Sequence, residues 1–296
     1  MRNLYVKINE YFNRKQLLDM YWLCPHITNT FPCPSISSLI RSVPTSMFGR
    51  TVCILFCANF RGTVDKFEAP FIDLSSLESI LGDGSIQYLH DNGFKVLINV
   101  VGNSNEDNGI GWSSIPYVKN EKFSQWFLDK ILIKYDLDGV EIDDEYYNST
   151  KSSRQLLATV KSLRRKLGED YIIKKALWED YDDIPLIKDY IDYGGMMQYY
   201  NDVEALKDVY GKYKDAGLKD NQISIGVQPG PPGISYTFTS LETTNAITEW
   251  NRHKRGISLY SYSQDIGSFT VMPQKKEPYP SKSDERWLKS ILKILV

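Results

Sequence analysis

The chain contains few of the residues that build metal sites, membrane spans or nucleic-acid surfaces. Its 296 residues include only three histidines and four cysteines, and neither type shows the spacing of metal ligands. No apolar run approaches the roughly 18 residues that cross a bilayer. The formal net charge is −2, so no basic field is available to attract nucleic acid. We therefore expect neither a metal centre, a membrane span nor a nucleic-acid partner.

The cysteines and the N-terminus bear on the compartment. Cys53 and Cys57 lie in an apolar stretch, where a free thiol acts as a small hydrophobic group. Cys24 and Cys33 would be able to pair in an exported protein, but free thiols are the favoured interpretation. The first residues lack the apolar region of a signal peptide and alternate like a strand. We expect a cytoplasmic protein, or a secreted or periplasmic one from which an export signal has been removed.

What the chain does have is a regular alternation of strand-like and helix-like segments. Eight strands are predicted, at residues 5–8, 51–58, 94–101, 137–146, 171–178, 193–200, 223–228 and 256–262. Between them apolar residues recur at helical spacing, as Phe123, Phe127 and Ile131 do. A closing helix is predicted after Asp284.

This alternation is typical of an α/β fold. A length of 296 residues exceeds the roughly 250 that a (β/α)₈ barrel commonly needs. A doubly wound sheet is disfavoured because no glycine-rich phosphate loop follows the first strand. The sequence predicts a (β/α)₈ TIM barrel in a single domain over residues 1–296, with an unusually long connection from residue 9 to residue 50.

The most informative stretch is residues 137–146, in which an apolar strand runs directly into acids. Alternation along a strand places Glu141, Asp143 and Glu145 on one face, with neighbours roughly 6.5–7 Å apart. Three acids on one face repel one another, so their pKa values are pushed apart. Such a set can keep one acid neutral as a proton donor and another ionised to stabilise positive charge. A charged turn that caps a strand is the alternative interpretation.

The same stretch resembles a known signature. Residues 138–145, Asp-Gly-Val-Glu-Ile-Asp-Asp-Glu, are similar to the Asp-x-x-Asp-x-Asp-x-Glu motif of family 18 glycoside hydrolases, at the end of the fourth barrel strand. Glu141 stands where that family usually has Asp. Leu-Asp-Gly-Val followed by Asp-Asp-Glu-Tyr looks closer to endo-β-N-acetylglucosaminidases of the endoglycosidase H type than to chitinases. Residues 196–201, Met-Met-Gln-Tyr-Tyr-Asn, resemble the sixth-strand Gln-x-Tyr element of those endoglycosidases.

The resemblance implies a retaining, substrate-assisted glycosidase that needs no metal or organic cofactor. In such enzymes the 2-acetamido group of the substrate attacks the anomeric carbon. The resemblance implies that Glu145 is the general acid and base, that Asp143 assists the acetamido group, and that Glu141 exchanges a proton or hydrogen bond with Asp143. It also implies that Gln198 and Tyr200 contact the reacting sugar, and alternation puts these two on one face.

Polar and aromatic residues gather at the predicted carboxyl ends of the strands, where the active sites of such barrels lie. Amides and phenols bind neutral polyols well, so this composition fits a sugar site. For the asparagines, capping of a strand end is an equally good interpretation. The predicted substrate-binding residues are Asn59, Asn103, Trp178, Tyr199, Gln228, Tyr260 and Tyr262, and Asn9 ends the first predicted strand.

Two absences separate the chain from the chitinases that it resembles. Chitinases of family 18 carry a tryptophan near the end of the eighth strand, and residues 256–262 contain none. Many of them also have an α+β module inserted before that strand, and the interval here is too short for it. We therefore expect a monomer that acts on an N-linked glycan or glycoprotein, cutting between the two core N-acetylglucosamines. A chitinase-type glycosidase of the same fold and a catalytically inactive carbohydrate-binding barrel are the alternatives.

Overall fold

The structure is a computed structural model that describes residues 17–23, 34–229, 239–266 and 285–296. Two of the features predicted above lie outside these residues. They are the first predicted strand with Asn9 at its end, and the Cys24 and Cys33 thiols.

Eight parallel strands close into a barrel, as predicted. A ninth strand, β3, pairs antiparallel with the end of β2 on the outside of this ring. The ring is closed by pairing of β1 with both β9 and β2. The strands are β1 Leu17–Leu23, β2 Thr51–Phe60, β3 Ile72–Asp73, β4 Lys95–Val101, β5 Gly139–Ile142, β6 Ile172–Leu177, β7 Tyr193–Met196, β8 Ile223–Val227 and β9 Gly256–Leu259.

Helices follow the strands and cover the outside of the barrel. None of the described helices is long and apolar enough to cross a bilayer. The α-helices are α1 Ile36–Ser42, α2 Glu78–Gly82, α3 Ser85–Asp91, α4 Asn120–Phe127, α5 Ile133–Tyr135, α6 Ser153–Leu167, α7 Ile184–Ile187, α8 Val203–Asp215, α9 Leu241–Asn251, α10 Tyr262–Asp265 and α11 Arg286–Leu295, with a π-helical turn at Leu128–Leu132 joining α4 to α5.

The first barrel strand is not where the sequence predicts it. β1 covers Leu17–Leu23, inside the stretch predicted to be a long connection, and α1 follows within the same stretch. Asp19 and Tyr21 point into the barrel from β1 and hydrogen-bond there. A strand with polar inward positions lacks the continuous apolar run that marks its neighbours, so its pattern is not recognisable as a buried strand.

The apolar core lies in two places. The larger part fills the layer between sheet and helices, and the predicted helical faces are buried in it, including Leu156 and Val160 of α6 and Trp287 and Leu288 of α11. The smaller part lies inside the barrel, with Tyr21, Leu23, Val52, Ile54, Leu97, Ile172 and Tyr193. Two members of this cluster also border polar groups of the interior, since Tyr21 donates to Glu141 and Tyr193 donates to Asp19.

The first residue of the acidic motif, Asp138, lies at the amino end of β5. Its carboxylate accepts hydrogen bonds from Lys95 Nζ at 2.6 Å and from the Val96 backbone amide at 2.9 Å, and lies 2.7 Å from His90 Nε2. Burial raises the pKa of Asp138, but the His90 and Lys95 contacts outweigh it, so the pKa is lowered overall. Asp138 thus joins β5 to β4 and α3, on the side of the barrel away from the motif's other acids.

We expect Asp138→Asn to lower the free energy of unfolding by about 2 kcal/mol near neutral pH, because hydrogen bonds to a charged group are lost. A lowered folded pKa stabilises above the unfolded pKa of about 3.9, and that stabilisation is lost as pH falls through the folded value. The difference between wild type and variant should therefore shrink below about pH 4. Urea unfolding at several pH values measures it, and a difference that does not change with pH would contradict the assignment.

Candidate active site

The candidate site is built on β5 and its neighbours, whose inward side chains meet at one level. Asn99 of β4, Glu141 of β5, Lys174 of β6 and Tyr193 of β7 are register partners in successive strands. Asn99 Nδ2 donates to Glu141 Oε2 at 2.7 Å and to Asp143 Oδ2 at 3.1 Å. One amide group therefore bridges the two deeper acids of the motif.

Asp143 is buried immediately beyond the end of β5. Its Oδ1 atom is enclosed and has no hydrogen-bond partner within the described part of the chain. Burial, followed by the charges of Glu145 and Glu141, raises the pKa of Asp143 well above its usual range. The site therefore holds an enclosed carboxyl oxygen that is ready to bind a proton or a donor from a ligand.

Glu145 lies two residues further on and is half-buried. Burial is the largest cause that raises its pKa, and the Glu141 charge adds to it, while a hydrogen bond with Tyr146 and the Lys175 charge oppose it. Asp143 and Glu145 are neighbours whose pKa values are both raised, so they hold a proton to higher pH than an ordinary carboxyl group. Such a pair can act as a proton donor.

Two glycines let the loop that carries Glu145 approach β4. The Gly102 amide donates to the Glu145 carbonyl at 3.0 Å, and a Cβ on Gly102 would lie 2.6 Å from that oxygen. A Cβ on Gly111 would meet the Tyr147 ring at 2.3 Å. Any larger residue at either position would displace the acid-bearing loop.

Asp144 points to the opposite side of the barrel wall and fastens the same loop. Its side chain is fully buried, accepts from the Ser113 backbone amide at 3.0 Å, and lies 3.8 Å from Lys151 Nζ. Lys175 pairs with Asp180 at 2.6 Å on this side. Burial lowers the pKa of Lys175, but the charges of Asp180 and Asp144 raise it by more, so the net pKa is raised and the lysine stays protonated. These contacts fix the loop from outside while Asp143 and Glu145 face inward.

Aromatic rings line the inner wall beside the acids. Tyr199 and Tyr260 stack with ring centroids 5.5 Å apart, and Tyr260 also packs edge-on against Tyr21 and Phe56 at 5.3 Å. Burial, then the neighbouring phenol and the three motif acids, raises the pKa of Tyr199. Its hydroxyl therefore stays protonated and can donate a hydrogen bond.

The structure places Gln198 and Tyr200 differently from the prediction. The Gln198 amide lies 3.5 Å from the hydroxyl of Tyr213 in α8, and Tyr200 packs against the core between sheet and helices. The inward residues of β7 are Tyr193 and Gly195, so continued alternation directs Tyr199 inward. Tyr199 therefore takes the position beside the acids that was predicted for its two neighbours.

Two predicted substrate-binding residues have structural roles instead. The Asn103 amide contacts the Gly62 carbonyl at 3.2 Å and the Glu106 carboxylate at 3.3 Å, so it holds its own loop. Tyr262 is fully buried at the start of α10, where its hydroxyl contacts Ser38 at 3.1 Å. Both side chains are buried and engaged in these contacts, so neither is available to a ligand. The prediction rested on position at a strand end, which does not distinguish a capping group from a binding group.

The other predicted binding residues stay predictions. Trp178 follows β6 with 46% of its side chain exposed, which suits an aromatic platform. Gln228 follows β8 at a position in phase with the inward Ser224. Asn59 lies at the end of β2 opposite Asp73 of β3.

Four inward residues near the acids are not among the predicted site residues. One is Cys57, predicted to be a small hydrophobic group. Burial and the charges of Asp143 and Glu145 raise its thiol pKa to about 12, so it lies close to both acids. The others are Tyr21, Asn99 and Lys174. Alternation within β4 and β6 would have predicted that Asn99 and Lys174 face inward. Within the described residues, no cluster of three His, Cys, Asp or Glu side chains is arranged to hold a metal ion.

Comparison with known sequences fits this geometry. A sequence model of the endo-β-N-acetylglucosaminidase EndoS TIM-barrel domain matches residues 67–229, more than half of the chain. The chain belongs to this family. The matched range includes the whole acidic motif and ends just after β8. No curated protein sequence matches the chain.

Solved structures similar to this EndoS-type barrel include family 18 glycoside hydrolases. The endo-β-N-acetylglucosaminidase from Cordyceps militaris has a TM-score of 0.61 and 15% identity, covering 100% of this chain and 97% of that one. A family 18 chitinase from Pseudoalteromonas aurantia has a TM-score of 0.60 and 17% identity, covering 94% and 99%. Catalytic domain 2 of an Ostrinia furnacalis Group II chitinase has a TM-score of 0.67 and 14% identity, covering 95% and 97%. At these identities the likeness shows the fold.

We expect Asp143→Asn to stabilise the barrel at neutral pH. A raised folded pKa gives stability that is present below the unfolded pKa of about 3.9 and is lost as pH rises through the folded value. Asparagine does not ionise, so the variant avoids the cost of either ionising the buried carboxyl group or taking up a proton on folding. Each unit of pKa shift corresponds to about 1.4 kcal/mol. The variant should therefore melt above wild type at pH 7, and the difference should shrink toward pH 4. Asp138→Asn is the matched control, because its pH dependence has the opposite sign.

Proposed function

We propose that this EndoS-type barrel is a glycosidase of the endo-β-N-acetylglucosaminidase type, acting by a retaining, substrate-assisted mechanism. The observation that carries the proposal is the enclosed, unpartnered Oδ1 of Asp143, beside a second carboxyl group whose pKa is raised. A 2-acetamido N–H is the kind of donor that this oxygen lacks. The family match over residues 67–229 supports the same function.

In the first step the acetamido oxygen attacks the anomeric carbon while the glycosidic bond breaks. Glu145 gives its proton to the leaving oxygen. Asp143 accepts the acetamido N–H and stabilises the positive charge of the oxazolinium ring. Tyr199, whose hydroxyl stays protonated, holds the acetamido group in the place expected for Tyr200. No group of the protein becomes covalently bound to the sugar.

In the second step Glu145 is a carboxylate and acts as a base. It takes a proton from water, and the water oxygen bonds to the anomeric carbon as the ring oxygen of the oxazolinium leaves. The acetamido group is restored and Glu145 regains its proton. Each of the two attacks inverts the anomeric carbon, and two inversions give net retention. The stacked Tyr199 and Tyr260 rings and the exposed Trp178 provide flat surfaces for sugar rings.

Glu145→Gln tests the acid. The variant keeps the size of the side chain but has no transferable proton, and general acid–base catalysis contributes ~10²–10⁴-fold. We expect kcat on a glycan to fall by that factor, while the melting temperature and glycan binding, measured by calorimetry, remain close to wild type. Asp143→Asn is the comparison, because it should spare reaction of a preformed sugar oxazoline. Normal hydrolysis by Glu145→Gln would refute the assigned mechanism.

The bond that is cut tests the substrate. Residues 256–259 of β9 and the turn after them place Tyr260, not a tryptophan, at the inner wall. This supports a short site for a branched glycan. We expect a glycoprotein to keep one N-acetylhexosamine on asparagine, with the rest of the glycan released as one piece, as read by mass spectrometry.

A chitinase-type activity is the second candidate, because chitinases are among the solved structures that share the barrel. Chitin oligomers and glycoproteins of high-mannose, hybrid and complex type should be compared in one assay series. Cleavage of the oligomers with no action on any N-glycan would assign the chitinase activity. If the wild type cleaves neither the chitin oligomers nor any N-glycan, the protein is a carbohydrate-binding barrel and not a glycosidase.

A further inference from the structure

A buried lysine lies inside the barrel beside Glu141, the deepest acid of the motif. Lys174 is fully buried inside the barrel. Its Nζ lies 2.8 Å from Asp19 Oδ2, 3.0 Å from Glu141 Oε1 and 3.0 Å from Tyr21 Oη. An ammonium group has three hydrogens, and here each has an acceptor.

The barrel is shaped around this ammonium group. β7 carries glycine at the adjacent inward position, and a Cβ on Gly195 would lie 2.9 Å from Lys174 Cε and 3.0 Å from Nζ. Ser258 donates to Asp19 at 2.8 Å, and Tyr193 donates to the same carboxylate at 3.0 Å. Asp19 is thus held by hydroxyl donors on one side and by the ammonium group on the other.

Within the described residues, three donors contact the Glu141 carboxylate. Tyr21 Oη donates to Oε1 at 2.5 Å, Lys174 Nζ lies 3.0 Å from the same oxygen, and Asn99 donates to Oε2 at 2.7 Å. Burial and the Glu141 charge raise the pKa of Tyr21, so its proton stays on the phenol. Both oxygens of Glu141 are therefore held by donors.

We propose that Lys174 is a positioning residue: its ammonium group holds the Glu141 carboxylate in place and, through Asn99, keeps Asp143 in place beside Glu145. The proposal rests on the glycosidase function proposed above. It bears on the expected exchange of a proton or hydrogen bond between Glu141 and Asp143. Asn99 donates to both carboxylates, so the direct path between them is occupied by an amide that accepts no proton there.

The charged and titratable groups around Glu141 explain why its position depends on Lys174. Among the described residues Lys174 is the cation in direct contact, and the phenols that face Glu141 stay protonated because burial raises their pKa values. Three other acids also face Glu141, so the ammonium group balances a cluster of carboxyl groups. The groups facing it are Asp19, Tyr21, Asp143, Glu145, Lys174, Tyr193 and Tyr199.

Lys174→Met tests the proposal, because it keeps an unbranched side chain of similar length and removes the charge. The variant leaves the buried carboxyl groups of Asp19 and Glu141 without their shared cation, so this pair binds a proton in the folded state. The folded variant then holds one proton more than the unfolded chain, so its stability should fall relative to wild type as pH rises from about 5 to about 8. Without the ammonium group the Glu141 side chain is no longer held in place, and neither is Asn99, which joins it to Asp143, so we expect kcat to fall about 10²-fold with KM changed little.

Gly195→Ala provides a second variant if Lys174→Met does not fold. Its methyl group displaces the end of the flexible Lys174 side chain without changing any charge. We expect a smaller loss of kcat and the same direction of pH dependence. Gly194→Ala is the matched control on the same strand, because its Cβ would meet Leu177 on the outer face at 2.5 Å. It should lower the melting temperature equally at every pH.

The outcomes separate the two proposals. Melting curves from about pH 5 to pH 8 test the ion pairing of Lys174 without any need for activity, and kinetics on a glycan and on a sugar oxazoline test its consequence. Lys174→Met or Gly195→Ala with the pH dependence and kcat of wild type would overturn the role of Lys174. If the wild type cleaves no glycan while the pH-dependent stability appears as expected, the proposed function fails and the ion-pair assignment survives.

Discussion

The site depends on a constraint of charge: four carboxyl groups lie within residues 141–145, and those of Glu141, Asp143 and Asp144 are buried. Burying unpaired carboxylates costs several kcal/mol each, so the interior must supply donors and cations. Asn99 bridges Glu141 and Asp143, and Lys174 joins Glu141 to Asp19. Lys175 performs a similar task for Asp144 on the other side of the wall. The acids can therefore coexist without a metal ion in contact with them.

This polar interior also explains the distribution of the core. A TIM barrel usually fills its centre with branched apolar side chains. Here the apolar interior is a small cluster that includes two tyrosines, and the large core lies outside the sheet. Stability is thus provided mainly by sheet–helix packing, which leaves room for charged groups inside the barrel.

Much of the fold was predictable from sequence because seven strands are marked by apolar runs or by the acidic motif. β1 was missed because Asp19 and Tyr21 interrupt its apolar pattern. The acids were predictable because acidic residues at alternate positions of a strand share one face, which is the arrangement that acid–base catalysis needs. Gln198 and Tyr200 were misplaced by one residue of phase, since a local pattern cannot say which alternate set faces inward. That choice is made by Tyr193 and Gly195, which pack against other strands.

The pair of glycines in β7 has an evolutionary consequence. Gly194 and Gly195 occupy opposite faces of one strand, so a register slip of one residue that turns Gly194 inward would keep a glycine beside Lys174. The same slip would put Gln198 in the place of Tyr199 at the mouth of the barrel. A comparable slip in β5 would turn Glu141 out of the barrel. The wall that faces the ligand can therefore diversify through β7, while β5 keeps its register.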